Sequence, residues 1–177
     1  MTHVAQTLPS DPLIRAAGGF AIVSGIVSAL GIVFLITMFA LFATPLKSLG
    51  LAFGMLNDIC VALQHLLTIP IALALYRILR PHNPPLMRIA TSVGLTAMVV
   101  VITLQLALIL GVLTFEQQVG WVSLAMLGGV GLWLVMTGLV ARSTGRLPNS
   151  LLMSSLAVPY LGYPVWAFWL GRRLLNW

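Results

Sequence analysis

The sequence predicts an all-α fold, an integral membrane bundle of five transmembrane helices with short loops and no soluble domain. Three observations carry that prediction. Of 177 residues, 60% are hydrophobic and only 7% are charged, with a mean hydropathy of +1.07; a soluble domain carries about 25% charged residues. Its nine cations and three acids are too few to cover a water-soluble body of 19 kDa. Charges and turn residues divide the chain into apolar runs that each reach the roughly 20 residues of a helical span. None of these runs alternates polar and apolar residues as barrel strands do. Lipid offers no partner to an unpaired backbone group, so runs this apolar are helices.

The first segment runs from about Pro12 to Ala43, with Asp11 as N-cap and proline at the first helical position. The uncharged stretch Ala16 to Leu46 reads as a span and not as a cleaved leader. "TPLKSLG" interrupts the pattern, and the second segment covers Leu51 to Leu79. "RPHNPP" ends it, because prolines lack the amide hydrogen. The third segment covers Leu86 to Leu113. The fourth covers Phe115 to Ala141, with Thr114 and Gln117 spaced as a capping box. "RSTGRLPNS" is a polar turn, and the fifth segment covers residues 150–171, followed by "RRLLNW".

Basic residues sort the loops. With the N-terminus cytoplasmic, the inner segments hold Arg15, Arg77, Arg80, Arg88, Arg142 and Arg146, and the outer ones hold Lys47, Arg172 and Arg173. Excess cations mark the cytoplasmic side, so the expected topology is N-in and C-out. Arg172 and Arg173 dissent from it. A last segment re-entrant at Pro159 and Pro164 would place the C-terminus inside instead. The cations sit at the ends of apolar runs, where they reach lipid headgroups. They form no dense basic run with aromatics, so nucleic acid is not an expected partner.

"LNDICVALQHLLTIP", Leu56 to Pro70, places Asn57, Asp58, Gln64 and His65 within an apolar helix. At 100° per residue Asp58 and His65 stack on one side, with Asn57 and Gln64 alongside and Thr68 continuing the stripe. A charge at the bilayer centre costs roughly 2.5–3.5 kcal/mol on insertion scales, so this side is expected to face protein. Asp58 and His65 are about 10 Å apart along the axis, too far for a direct hydrogen bond. Pro70 is expected to kink the helix next to the stripe. Expected partners of the stripe on the third helix are Gln105, Thr96 and Thr103.

Three functions fit the stripe. In the first, its side chains bond neighbouring helices and the protein is a structural or accessory component, packing with itself or with other membrane subunits. In the second, Asn57, Asp58, Gln64, His65, Thr68 and Gln105 serve a ligand, proton or cation in a small transporter, channel or ligand-binding protein. In the third, His65 ligates haem or a chlorophyll-type pigment. Bis-histidine ligation within one chain is excluded, since His3 and His82 lie in a tail and a loop. No other cofactor is implied, and no metal cluster is expected.

Small residues recur at helix-packing spacing in Ser24/Ser28, Gly25/Ala29 and Ala125/Gly129. In the fifth segment Tyr160, Tyr163, Trp166 and Trp169 are expected to form interfacial anchors or an aromatic surface for a quinone, pigment or partner helix. Cys60 stands alone, which rules out an internal disulfide. Catalytic patterns are missing: there is no H-E-x-x-H, no G-x-S-x-G and no phosphate loop. The acids Asp11, Asp58 and Glu116 are expected to lie apart, and a serine–histidine pair would need Ser92, Ser154 or Ser155 opposite His65. An enzyme is not expected.

Three stretches carry a resemblance: "AAGGFAIVSGIVSALG", "LNDICVALQHLLTIPIALALYRILRP" and "LGYPVWAFWLGRRLL". In these the chain resembles a group of small uncharacterised bacterial polytopic membrane proteins. The resemblance implies a multi-pass protein of the bacterial cytoplasmic membrane. It implies no catalytic residue.

Overall fold

In α1, Pro12–Phe42, the carboxylate of Asp11 accepts from the Leu13 amide at 3.0 Å and caps the helix, with proline in the first turn. Its buried side is a stripe of small residues, Ala17, Gly18, Ala21, Ser24, Gly25, Ser28 and Gly31. The opposite side exposes Val23, Ile26, Leu30 and Val33. The computed structural model describes residues 11–144 and 159–176, all-helical and without a strand among them. Four helices, α1 to α4, are long and apolar enough to cross a membrane.

α2 spans Lys47–Leu79 and starts earlier than the sequence suggests. Only residues 43–46 break the chain, where the Thr44 hydroxyl accepts from the Leu46 amide at 3.2 Å. Gly50 lets the hairpin close, since a Cβ there would lie 3.0 Å from the Phe42 ring. The helix continues unbroken through Pro70.

α3 spans Pro84–Ile109, capped by Asn83, whose side chain accepts from the Leu86 amide at 3.2 Å. It stops short of the expected Leu113. Gly111 takes the left-handed conformation, φ 71°, and the amides of Val112 and Leu113 both return to the Ala107 carbonyl. Glycine is the usual terminator in this geometry. α4 spans Phe115–Thr144 and opens with the expected capping box between Thr114 and Gln117. Its middle, Ala125–Gly131, widens into π-helix, which the sequence did not announce. There Gly129 abuts Ala97 of α3, leaving no room for a Cβ. Four residues on, the Trp133 indole fills the space over Gly94, where a Cβ would come within 2.5 Å.

α5, Pro159–Leu175, has 17 residues; at about 1.5 Å per residue it is short for a full span. The first part of the fifth predicted segment, residues 150–158, lies outside the described residues, as does much of the polar turn before it. α5 runs antiparallel to α1. Tyr163 meets Ser24, Pro164 and Phe168 meet Gly25, Gly171 meets Ile22, and Leu175 meets Gly18. It therefore begins near mid-height and ends beside the start of α1.

That direction departs from the expected topology, in which the two termini lay at opposite ends. Asp11 pairs with Arg77 at 3.1 Å, which fixes the start of α1 beside the end of α2. α4 is antiparallel to α3, with Gln118 on Gln105 and Trp133 on Gly94. One end of the bundle thus holds Arg15, Arg77, Arg80, Arg88, Arg142, Arg172 and Arg173, while Lys47 is the only described cation at the other. The direction of α5 is that of the re-entrant alternative.

Candidate functional site

The polar stripe of α2 divides into three parts. His65 and Thr68 are buried at 2% and 1% exposure, and Asn57 at 7%. Gln64 and Asp58 are half-buried. His65 turns back on its own helix, where Nδ1–H donates to the Val61 carbonyl at 2.8 Å. Thr68 bonds the Tyr163 hydroxyl, which also lies 2.7 Å from the Ser24 hydroxyl. Thr68 Oγ1 reaches the Gln64 carbonyl at 2.6 Å and Ser24 Oγ reaches the same oxygen at 3.3 Å. These groups tie α1, α2 and α5 together at mid-height.

The expected partners on α3 are not the ones used. Gln105 is buried and accepts from Gln118 Nε2 of α4 at 2.9 Å. Thr103 bonds its own helix at the Val99 carbonyl, and Thr96 is exposed. The partner of Thr68 comes from α5. Asn57 Oδ1 and Gln118 Oε1 are buried without a hydrogen-bond partner among the described residues.

The aromatic residues of α5 also face inward. Tyr163 and Trp166 are each 5% exposed, and Trp166 meets Trp133 edge-on at 6.1 Å. Trp169 is half-buried. An aromatic surface is thus not presented by Tyr163 and Trp166, because α5 docks in the groove between α1 and α4; the Tyr160 side chain lies outside the described residues. Ser92 is exposed on α3, and Ser154 and Ser155 lie outside the described residues. Among the described residues no three His, Cys, Asp or Glu side chains cluster as a metal site would require.

Asp58 points away from that core. It opens into a cavity of about 520 Å³ between the Lys47-end halves of α1 to α4, walled by Met38, Phe42, Met55, Leu108 and Phe115. Glu116 lines the same cavity. Two of the three acids, expected to lie apart, therefore line one cavity with no basic residue in its wall, Asp58 half-buried within it and Glu116 exposed. The signal was latent in the hairpin register: Asp58 lies three turns into α2, and Glu116 opens α4 from the same end.

At the opposite end a cleft of about 740 Å³ carries Arg77, Arg80 and Arg88 over Leu13, Leu73 and Pro84. A third, shallow groove of about 410 Å³ on α3 and α4 is lined by Ser92, Thr96, Val100, Trp121 and Leu124. His65 lines none of these three. Comparison of the chain with protein-family models, with curated proteins and with solved structures gives no match.

Proposed function

We propose that the chain is an integral membrane protein of a bacterial cytoplasmic membrane that binds an amphipathic organic cation in the Asp58 cavity, as a small carrier or ligand-binding protein. Helices α1 to α4 cross the bilayer, and α5 runs only from mid-height to the arginine end. The arginine end is cytoplasmic by the positive-inside bias, which puts both ends of the described chain inside. Support for the membrane setting comes from the four long apolar helices and from apolar side chains such as Leu30 and Leu127 exposed on their outer sides.

The observation that carries the ligand is the half-buried Asp58 within walls of methionine, phenylalanine and leucine, with the exposed Glu116 lining the same cavity. An apolar body fits such walls, and a positive charge offsets the carboxylates. Asp58 lies within about 8 Å of the middle of α2, hence inside the hydrocarbon layer, where an ionisable side chain marks a site by default. The test is saturable binding of tetraphenylphosphonium to the protein in lipid nanodiscs, with tetraphenylborate as an anion of the same shape. Wild type binds the cation and not the anion, and Asp58→Asn weakens the cation at least about tenfold, one lost charge contact at a half-buried carboxylate. Binding that is equal in wild type and Asp58→Asn sinks the proposal.

A second reading, the accessory component, draws on the open α3–α4 groove, where the exposed Ser92 and Thr96 hydroxyls and the Trp121 ring suit a partner helix. It parts from the first at Asp58. An accessory role leaves that residue replaceable by asparagine at no cost beyond stability.

A further inference from the structure

The arginine-end cleft is built differently from the cation chamber and does not depend on that chamber's ligand. Leu13 and Leu73 line its membrane-facing side, the turn prolines Pro81 and Pro84 its outer end, and Arg77, Arg80 and Arg88 with Tyr76 complete the lining. Of the three arginines, Arg77 is partly neutralised by Asp11 at 3.1 Å, the only ion pair among the described residues. The Arg80 guanidinium lies 5.7 Å from the centre of the Tyr76 ring, a cation–π contact that leaves its N–H groups able to bond a phosphate. Arg88, one turn into α3, closes the opposite wall.

Depth sets what reaches this cleft. Arg77 and Arg80 lie roughly 21 to 26 Å along α2 from its midpoint, beyond the half-thickness of about 15 Å of the hydrocarbon core. The arginines therefore sit where phosphate groups lie, and Leu73 and Leu13 lie on the acyl-chain side of them. We propose that this cleft is a specific site for a phosphate ester with an apolar tail, held by Arg80 and Arg88 at its phosphate and by Leu13 and Leu73 along its chain. Guanidinium groups match phosphate oxygens in paired N–H contacts. In a bilayer the source of that chemistry is an anionic phospholipid of the leaflet on the arginine side.

Short-chain probes separate a lipid from a free phosphate. The purified chain in detergent is titrated with dihexanoyl phosphatidylglycerol, with dihexanoyl phosphatidylcholine and with inorganic phosphate, and bound mass is read by native mass spectrometry. Wild type retains one phosphatidylglycerol in preference to phosphatidylcholine. Arg80→Gln with Arg88→Gln weakens it about thirty-fold, each basic contact contributing roughly fivefold. Arg172→Gln with Arg173→Gln removes the same charge from the same end outside the cleft and changes binding less than about twofold. All four side chains are exposed, so the variants keep the fold. Equal losses in the two double variants overturn the site in favour of diffuse charge attraction. Equal retention of phosphatidylcholine, or inorganic phosphate that competes as well as the lipid, overturns the lipid as its occupant.

Discussion

The two ends of the bundle are built from opposite materials. The arginine end gathers seven of the eight described cations, where α5 packs against the start of α1 and an open, charged cleft lies beside the α2–α3 turn. The Lys47 end has one described cation, two acids and an apolar chamber. Between them lies a layer of buried hydroxyls and an imidazole, bonded to backbone and to one another. The difference teaches that charge in this chain is sorted by end, not by helix. Arg172 and Arg173 look misplaced only while α5 is drawn as a full crossing. With the end of α5 beside the start of α1, the charge asymmetry has no dissenters among the described residues.

The largest effect that tests this contrast is all or none. In a Cys60→Ser background, single cysteines replace His82 or Asn176 at the arginine end, or Ser48 at the other. A membrane-impermeant maleimide added to sealed inside-out vesicles labels the first two and spares the third; right-side-out vesicles give the reverse. Labelling of Asn176 together with Ser48 would restore the expected crossing by the last segment and end the contrast.

Much of the fold was legible in the residues, and what escaped has a common physical cause. Asp11-Pro12 and the Thr114/Gln117 pair are local signals, and both helix starts fall where they point. Gly111 ends α3 early because a left-handed residue breaks the helix, a cue present in the sequence and underweighted beside the apolar run. The π-turn at Ala125–Gly131 and the partners of the stripe have no local signal. Helical periodicity says which residues share a side, and it is silent on which helix covers that side. Ser24 and Tyr163 were therefore missed as partners of Thr68, Gln118 as partner of Gln105, and Glu116 as companion of Asp58, since each depends on the register between helices.

The second effect is a matter of a few kcal/mol and concerns how α5 is held at the arginine end. A Cβ on Gly171 would lie 2.8 Å from the Gly18 carbonyl oxygen and 2.7 Å from Ile22 Cγ1. Gly171→Val therefore has to push two backbones apart, and overpacking of this kind costs about 1–3 kcal/mol. On the adjacent side of α1, a Cβ added to Gly19 would meet nothing within 4 Å, so Gly19→Ala leaves stability unchanged or slightly raised. Reversible unfolding in mixed detergent reads both. A neutral Gly171→Val would mean that α5 does not rest on α1 as described.

The smallest effect probes the layer that separates the two ends. Tyr163→Phe removes one hydroxyl from the group it forms with Ser24 and Thr68, but it orphans neither partner. Both hydroxyls already reach the Gln64 carbonyl, at 3.3 and 2.6 Å, and one carbonyl oxygen accepts two hydrogens. The expected loss is therefore near the average for a hydrogen bond between membrane helices, about 0.6 kcal/mol, and below the upper value of about 1.7 kcal/mol. Ring packing is untouched, because the phenylalanine keeps the tilted contact with Trp166 at 5.5 Å. The same unfolding assay checks it. A loss as large as that of Gly171→Val would show that the hydroxyl, not the fit of small residues along α1, holds α5 in the bundle.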